Sequence, residues 1–111
     1  MLMSQDAMLL RVYSDEAAMH GDDEVADVIL ARAKRTGLAG ATVLKGRAGF
    51  ASGSIVHRHH SLGIGDNPPI VIELVDAEEN LRAFVSLLGD LRGIGLVTLE
   101  KVEVVTAGLQ N

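Results

Sequence analysis

The sequence predicts an α+β fold: a four-stranded antiparallel sheet with two helices on one face, in the order β-α-β-β-α-β. Three observations predict it. Short runs rich in Val, Leu and Ile alternate with two segments of helical period. The hydrophobic share is 48% but the aromatic share only 3%, so the core is aliphatic and suits small, regular packing. The 111 residues make one domain, large enough for a core without staples, and there is no cysteine to form them.

Residues 8–13 read as the first strand. The acidic stretch from Asp15 to Asp23 contains Gly21 and reads as a loop. Asp22 is the expected N-cap of the first helix, with Asp23 and Glu24 at the positive end of its dipole. Val25, Val28, Ile29 and Ala33 follow helical spacing. Arg32, Lys34 and Arg35 lie toward the other end, and Gly37 supplies the stop. Residues 41–46 form a second strand and 51–67 a long loop closed by Pro68 and Pro69. At roughly 17 residues it exceeds what compact domains usually carry without a purpose. Residues 70–75 are the strongest strand in the chain.

Asp76, with Glu79 three residues on, resembles a capping box opening the second helix. Leu81, Phe84, Val85 and Leu88 give its apolar stripe. The last strand covers 96–105. Its alternation changes phase between Leu99 and Val102, which suggests a bulge near Glu100 and Lys101.

This order is the split βαβ, or ferredoxin-like, pattern, which leaves one sheet face uncovered. The third strand is apolar on both sides: Ile70, Ile72 and Leu74 on one, Val71 and Val75 on the other. Leu9 and Tyr13 add apolar surface opposite Leu10 and Val12. Other subunits are expected to cover this patch, the C-terminal tail being the alternative cover. Arg11 and Glu73 share the uncovered phase and are expected to pair across that interface.

Ten Lys and Arg against fifteen Asp and Glu leave a net charge of −5, with no basic face for nucleic acid. No apolar run approaches the ~20 residues of a membrane span, and the first residues do not read as a secretory signal, so none is expected. A cytoplasmic protein without membrane insertion is expected.

The residues with chemistry cluster after the second strand. Gly46 and Gly49 let backbone amides approach a ligand, and Lys45 and Arg47 offer charge for an anion. The same stretch also reads as a glycine-rich bend that merely launches a loop. His57, Arg58, His59 and His60 form a polar cluster. On an extended segment His57 and His59 share a face and would suit Zn²⁺ or Cu²⁺. That site lacks a third ligand unless Asp66 or a histidine of another subunit serves, so a partner-contacting loop is favoured over a metal site. Arg92 before Gly93 reads either as a phosphate contact or as a helix-end cation. Ser52 and Ser54 lack a positioned triad, and Glu73 lacks a second carboxylate. No enzyme is expected.

With these motifs in place, the chain resembles the PII-like family once filed as domain of unknown function number 190. The residues that carry the likeness are Leu9-Leu-Arg-Val-Tyr13, Gly37-Leu-Ala-Gly-Ala-Thr-Val-Leu-Lys-Gly46 and Ala48-Gly-Phe50, followed by His57, Pro69-Ile-Val-Ile-Glu-Leu-Val-Asp76 and Gly95-Leu-Val-Thr-Leu-Glu-Lys-Val102. The likeness runs from about 8 to about 106. It implies a domain over 8–106, between an N-terminal extension (1–7) and a C-terminal tail (107–111). It further implies a homotrimer of ferredoxin-like subunits whose sheets pack together.

Nucleotides bind between subunits in such proteins, and a mobile loop, here about 50–67, contacts a target such as a membrane transporter or an enzyme. The implied ligand set is Thr42, Lys45, Gly46, Arg47 and Gly49 at the loop base, with Arg92, Gly93 and Gly95 as a second loop. The implied ligand is an adenine nucleotide, with no cofactor required. Three departures stand out. The 92–95 turn is shorter and poorer in glycine and lysine than the phosphate loop of PII proteins. The only tyrosine is Tyr13, so a modifiable loop tyrosine is missing. Residues 14–24 are acidic.

The leading expectation is therefore a regulatory protein sensing a small anion in intersubunit clefts. The competing readings are a metal-responsive module built on His57, His59 and His60, and a small enzyme working in an oligomeric cleft.

Overall fold

Strand β1 (Ser4–Asp15) is the hub of the sheet. A computed structural model of the chain describes residues 4–50 and 67–105, with side chains from residue 6 onward. The elements following β1 are a small hairpin of β2 (Met19–His20) and β3 (Asp23–Glu24), helix α1 (Val25–Thr36), and β4 (Gly40–Lys45). Next come β5 (Pro69–Asp76), helix α2 (Glu78–Ser86) and β6 (Val97–Val105). The four long strands form one antiparallel sheet in the order β4-β5-β1-β6. This is the expected ferredoxin-like architecture.

Alternation decides which face each strand buries. Leu10 and Val12 of β1 and Ile70, Ile72 and Leu74 of β5 are buried beneath the helices. They meet Val25, Ala26, Ile29 and Ala33 of α1, and Leu81 and Phe84 of α2. Leu88 and Leu91 close the core from the turn after α2, whereas Val85 of the expected stripe is exposed. Helix α1 ends as its sequence requires. Lys34 and Arg35 occupy the last turn, and Gly37 takes φ 78°, where a side chain would be strained. The amides of Gly37 and Leu38 close the helix on Lys34 and Ala33.

Four local expectations are corrected. The N-cap of α1 is Glu24, not Asp22, because Asp23 and Glu24 are drawn into the hairpin with Met19 and His20. No reciprocal capping box forms at Asp76. Its carboxylate instead accepts from the Ala77 amide (2.7 Å), from Asn80 (2.6 Å) and from the Ala39 amide (2.8 Å), tying α2 to the approach of β4. Burial pushes this carboxyl up, but the three donors outweigh it and hold it below its ordinary value.

The β1–β6 register runs unbroken from Ser4 opposite Val105 to Val12 opposite Val97, so there is no bulge. The phase change has another cause. Strand β5 ends opposite Met8, so residues 4–7 and 102–105 continue as a two-stranded ribbon. Along that ribbon the apolar side switches to the uncovered face. Finally, Arg11 and Glu73 pair within one chain rather than across an interface, because they sit directly opposite in the β1–β5 ladder.

Candidate functional site

Because neighbouring strands are antiparallel, four strand ends meet at one end of the sheet: Lys45 of β4, Pro69 of β5, Asp15 of β1 and Val97 of β6. The 46–49 exit and the 92–95 turn are therefore brought to the same end. They lie on opposite edges, however. Three strand spacings separate them, roughly 14 Å.

The β4 exit is pressed against the start of β5. The Gly46 amide donates to the Pro69 carbonyl at 2.8 Å. A Cβ on Gly46 would lie 2.8 Å from Pro69 Cγ, so only glycine fits here without displacement. At the other edge, the Ser14 hydroxyl donates to the Gly93 carbonyl at 2.8 Å, and the Gly95 amide to the Tyr13 carbonyl at 2.7 Å. These bonds fasten the second candidate loop to the end of β1.

The candidate cations fare differently. Lys45 Nζ is 2.9 Å from Glu16 Oε2. Arg47 and Arg92 are exposed, and neither forms an ion pair among the described residues. Thr42 stands apart from all three. It lies opposite Glu73 on the uncovered face, whereas Lys45 lies opposite the buried Ile70 on the helix side. Thr42 and Lys45 thus flank the strand from opposite sides. His57, Arg58, His59 and His60 lie outside the described residues. No cluster of three or more metal-ligating side chains occurs among the described residues.

Sequence reading missed the residues that hold this end together. Asp15 and Asn67 are buried, and their side-chain oxygens both accept from the Ala17 amide at 3.1 Å. The Glu16 amide donates to the Pro68 carbonyl at 3.1 Å. In the sequence these residues look like an ordinary acidic loop and a loop end. No local signal marks them as partners.

The uncovered face carries a polar row across apolar surroundings. Arg11 Nε bonds Glu73 at 3.0 Å, and its Nη1 bonds Glu100. These hydrogen bonds, to Glu73 first and then Glu100, raise the guanidinium above its ordinary value. Leu9, Tyr13, Val71, Val75, Val102 and Val104 share the face, all partly exposed.

Residues 7–104 match the DUF190 family, described as "Uncharacterized ACR". The chain belongs to the DUF190 family. A UPF0166 protein of Aquifex aeolicus (strain VF5) is 34% identical over 99 residues, covering 87% of this chain and 91% of the relative. Among solved structures, CPII from Thiomonas intermedia K12 bound to ADP, AMP and acetate is 16% identical. It covers 92% of this chain and 91% of CPII, with a TM-score of 0.62. CPII bound to ADP and bicarbonate is 19% identical over 92% of this chain and 91% of CPII, with a TM-score of 0.53. At these identities the likeness to CPII shows the fold. The DUF190 match spans every strand and helix described above except the first residues of β1 and the last of β6.

Proposed function

We propose that this DUF190 chain is the subunit of a non-catalytic, cytoplasmic, PII-like signalling protein. It forms a homotrimer and senses a small anion, an adenine nucleotide, in the clefts between subunits. Occupancy is passed to a target protein through the 50–67 segment. The observation that carries this reading is the separation of the two candidate loops. One chain presents the 46–49 exit and the 92–95 turn at the same sheet end but on opposite edges. Leaving from opposite edges, they do not converge on one site within a chain, whereas the edges of two neighbouring copies can bring them together. The apolar uncovered face supplies the drive for such neighbours. CPII, which shares the fold, was solved with ADP and AMP, and this supports a nucleotide as the ligand.

The test is calorimetry with ATP, ADP and AMP on the intact protein, alongside native mass spectrometry. Trimers and nucleotide heat are expected. Arg47→Ala is expected to weaken binding roughly tenfold, as for loss of one charge-assisted contact. A monomer at micromolar concentration, or the absence of heat with every nucleotide, would overturn the reading.

A further inference from the structure

Lys45 and Glu16 belong to different strand ends, two positions apart in the sheet. Lys45 closes β4, and Glu16 directly follows β1. Between them lies the start of β5, where Pro68 accepts from the Glu16 amide and Pro69 from the Gly46 amide. The two side chains therefore reach over the first residues of β5 to meet at 2.9 Å. Both side chains reach solvent, 61% accessible for Lys45 and 41% for Glu16. A solvent-accessible pair of this kind contributes little to stability, so an incoming phosphate can open it.

The two partners are not equally free to move. The main chain at Glu16 is pinned on both sides. Its own amide is held by Pro68, and the next amide, of Ala17, is held by the buried Asp15 and Asn67 side chains. Lys45, in contrast, is the last residue of an edge strand, next to the 46–49 exit. Its flexible stem can turn about the strand end while Glu16 stays behind.

We infer that the pair of Lys45 and Glu16 is a ligand-sensitive latch: an anion at the 46–49 exit draws Lys45 off Glu16 and thereby unfastens β4 from the segment before α1. This rests on the nucleotide reading above and adds to it a residue that sets ligand charge preference. Glu16 competes with the ligand for Lys45 and also repels its phosphates. Its penalty therefore grows from AMP through ADP to ATP.

The experiment is calorimetry of the full chain with AMP, ADP and ATP, in EDTA at low salt. It compares the unaltered protein, Glu16→Gln, Lys45→Met and the double variant. Circular dichroism checks that all four are folded. Glu16→Gln is expected to tighten ATP binding about fivefold to tenfold and AMP binding less, as for removal of one nearby like charge. In the Lys45→Met background the same substitution is expected to gain at most about twofold, because the competition has gone. Unchanged or weaker ATP binding by Glu16→Gln overturns the latch alone. So does a gain that survives Lys45→Met intact, since that would be plain repulsion. Absence of binding by all four proteins overturns the latch and the nucleotide reading together.

Discussion

Arg11 Nε lies 3.0 Å from Glu73 Oε2, linking β1 to β5 across the uncovered face of the sheet. The same guanidinium bonds Glu100 of β6, so one cation serves two carboxylates. Removing Arg11 would leave both unpaired on a face that neighbours are proposed to cover, and a desolvated unpaired charge is costly. Arg11→Ala is expected to weaken self-association at least about tenfold. Glu100→Gln, which leaves one charge of each sign, is expected to strengthen it. Sedimentation equilibrium measures both, and a change in the same direction for the two variants would refute the assignment.

Val102 lies on the same face, where β1 and β6 continue beyond β5. It contributes nothing to the core beneath the helices. Val102→Asp is therefore expected to dissociate the proposed trimer while leaving the circular dichroism spectrum unchanged. Sedimentation velocity at micromolar concentration reports the outcome.

Gly46 and Gly89 make a matched pair for testing close approach. A Cβ at Gly46 meets Pro69 Cγ at 2.8 Å, whereas one at Gly89 meets nothing within 4 Å. Gly46→Ala is expected to cost about 1–3 kcal/mol through overpacking. Gly89→Ala should stay within about 0.5 kcal/mol, as surface substitutions do. Urea denaturation at equal protein concentration compares them.

Asp90 faces Arg32, which donates to both carboxylate oxygens at 2.9 and 2.8 Å. These bonds lower the carboxyl to about 2 from an ordinary 3.8, against a smaller opposing effect of burial. A group depressed in the folded state stabilises above its unfolded value and loses that effect as pH falls through the folded value. Asp90→Asn is thus expected to lower Tm slightly at pH 7. The deficit should shrink between pH 4 and pH 2. A deficit that is constant across that range would place the effect elsewhere.

Phe84 is 2% exposed at the centre of the helix layer. With few aromatics in the chain, no neighbour of similar size can fill its place. Phe84→Ala is expected to cost about 3–5 kcal/mol, read from the denaturation midpoint.

The strands and helices were legible because their cause is local. Ile70, Ile72 and Leu74 repeat every second residue, Val25, Ile29 and Ala33 follow the helical period, and Gly37 stands where α1 must stop. The candidate site was legible only in part. The glycines and cations after β4 stand together in the chain, so a sequence reader finds them. The pairing of Lys45 with Glu16 spans the first strand crossover, and no nearby residue encodes it. The phase change in β6 was visible too, but its cause lay in where β5 ends.

Periodicity and stop signals, which act over a few residues, determined by themselves the order of the four long strands and two helices, the aliphatic core and the uncovered apolar face of this protein, but not the small β2–β3 hairpin. Tertiary structure decided which acid meets which cation, that Thr42 and Lys45 flank β4 from opposite sides, and that the two glycine turns share a sheet end yet sit on opposite edges. These depend on strand order and register, which join residues far apart in the chain through backbone hydrogen bonds that nearly any side chain permits.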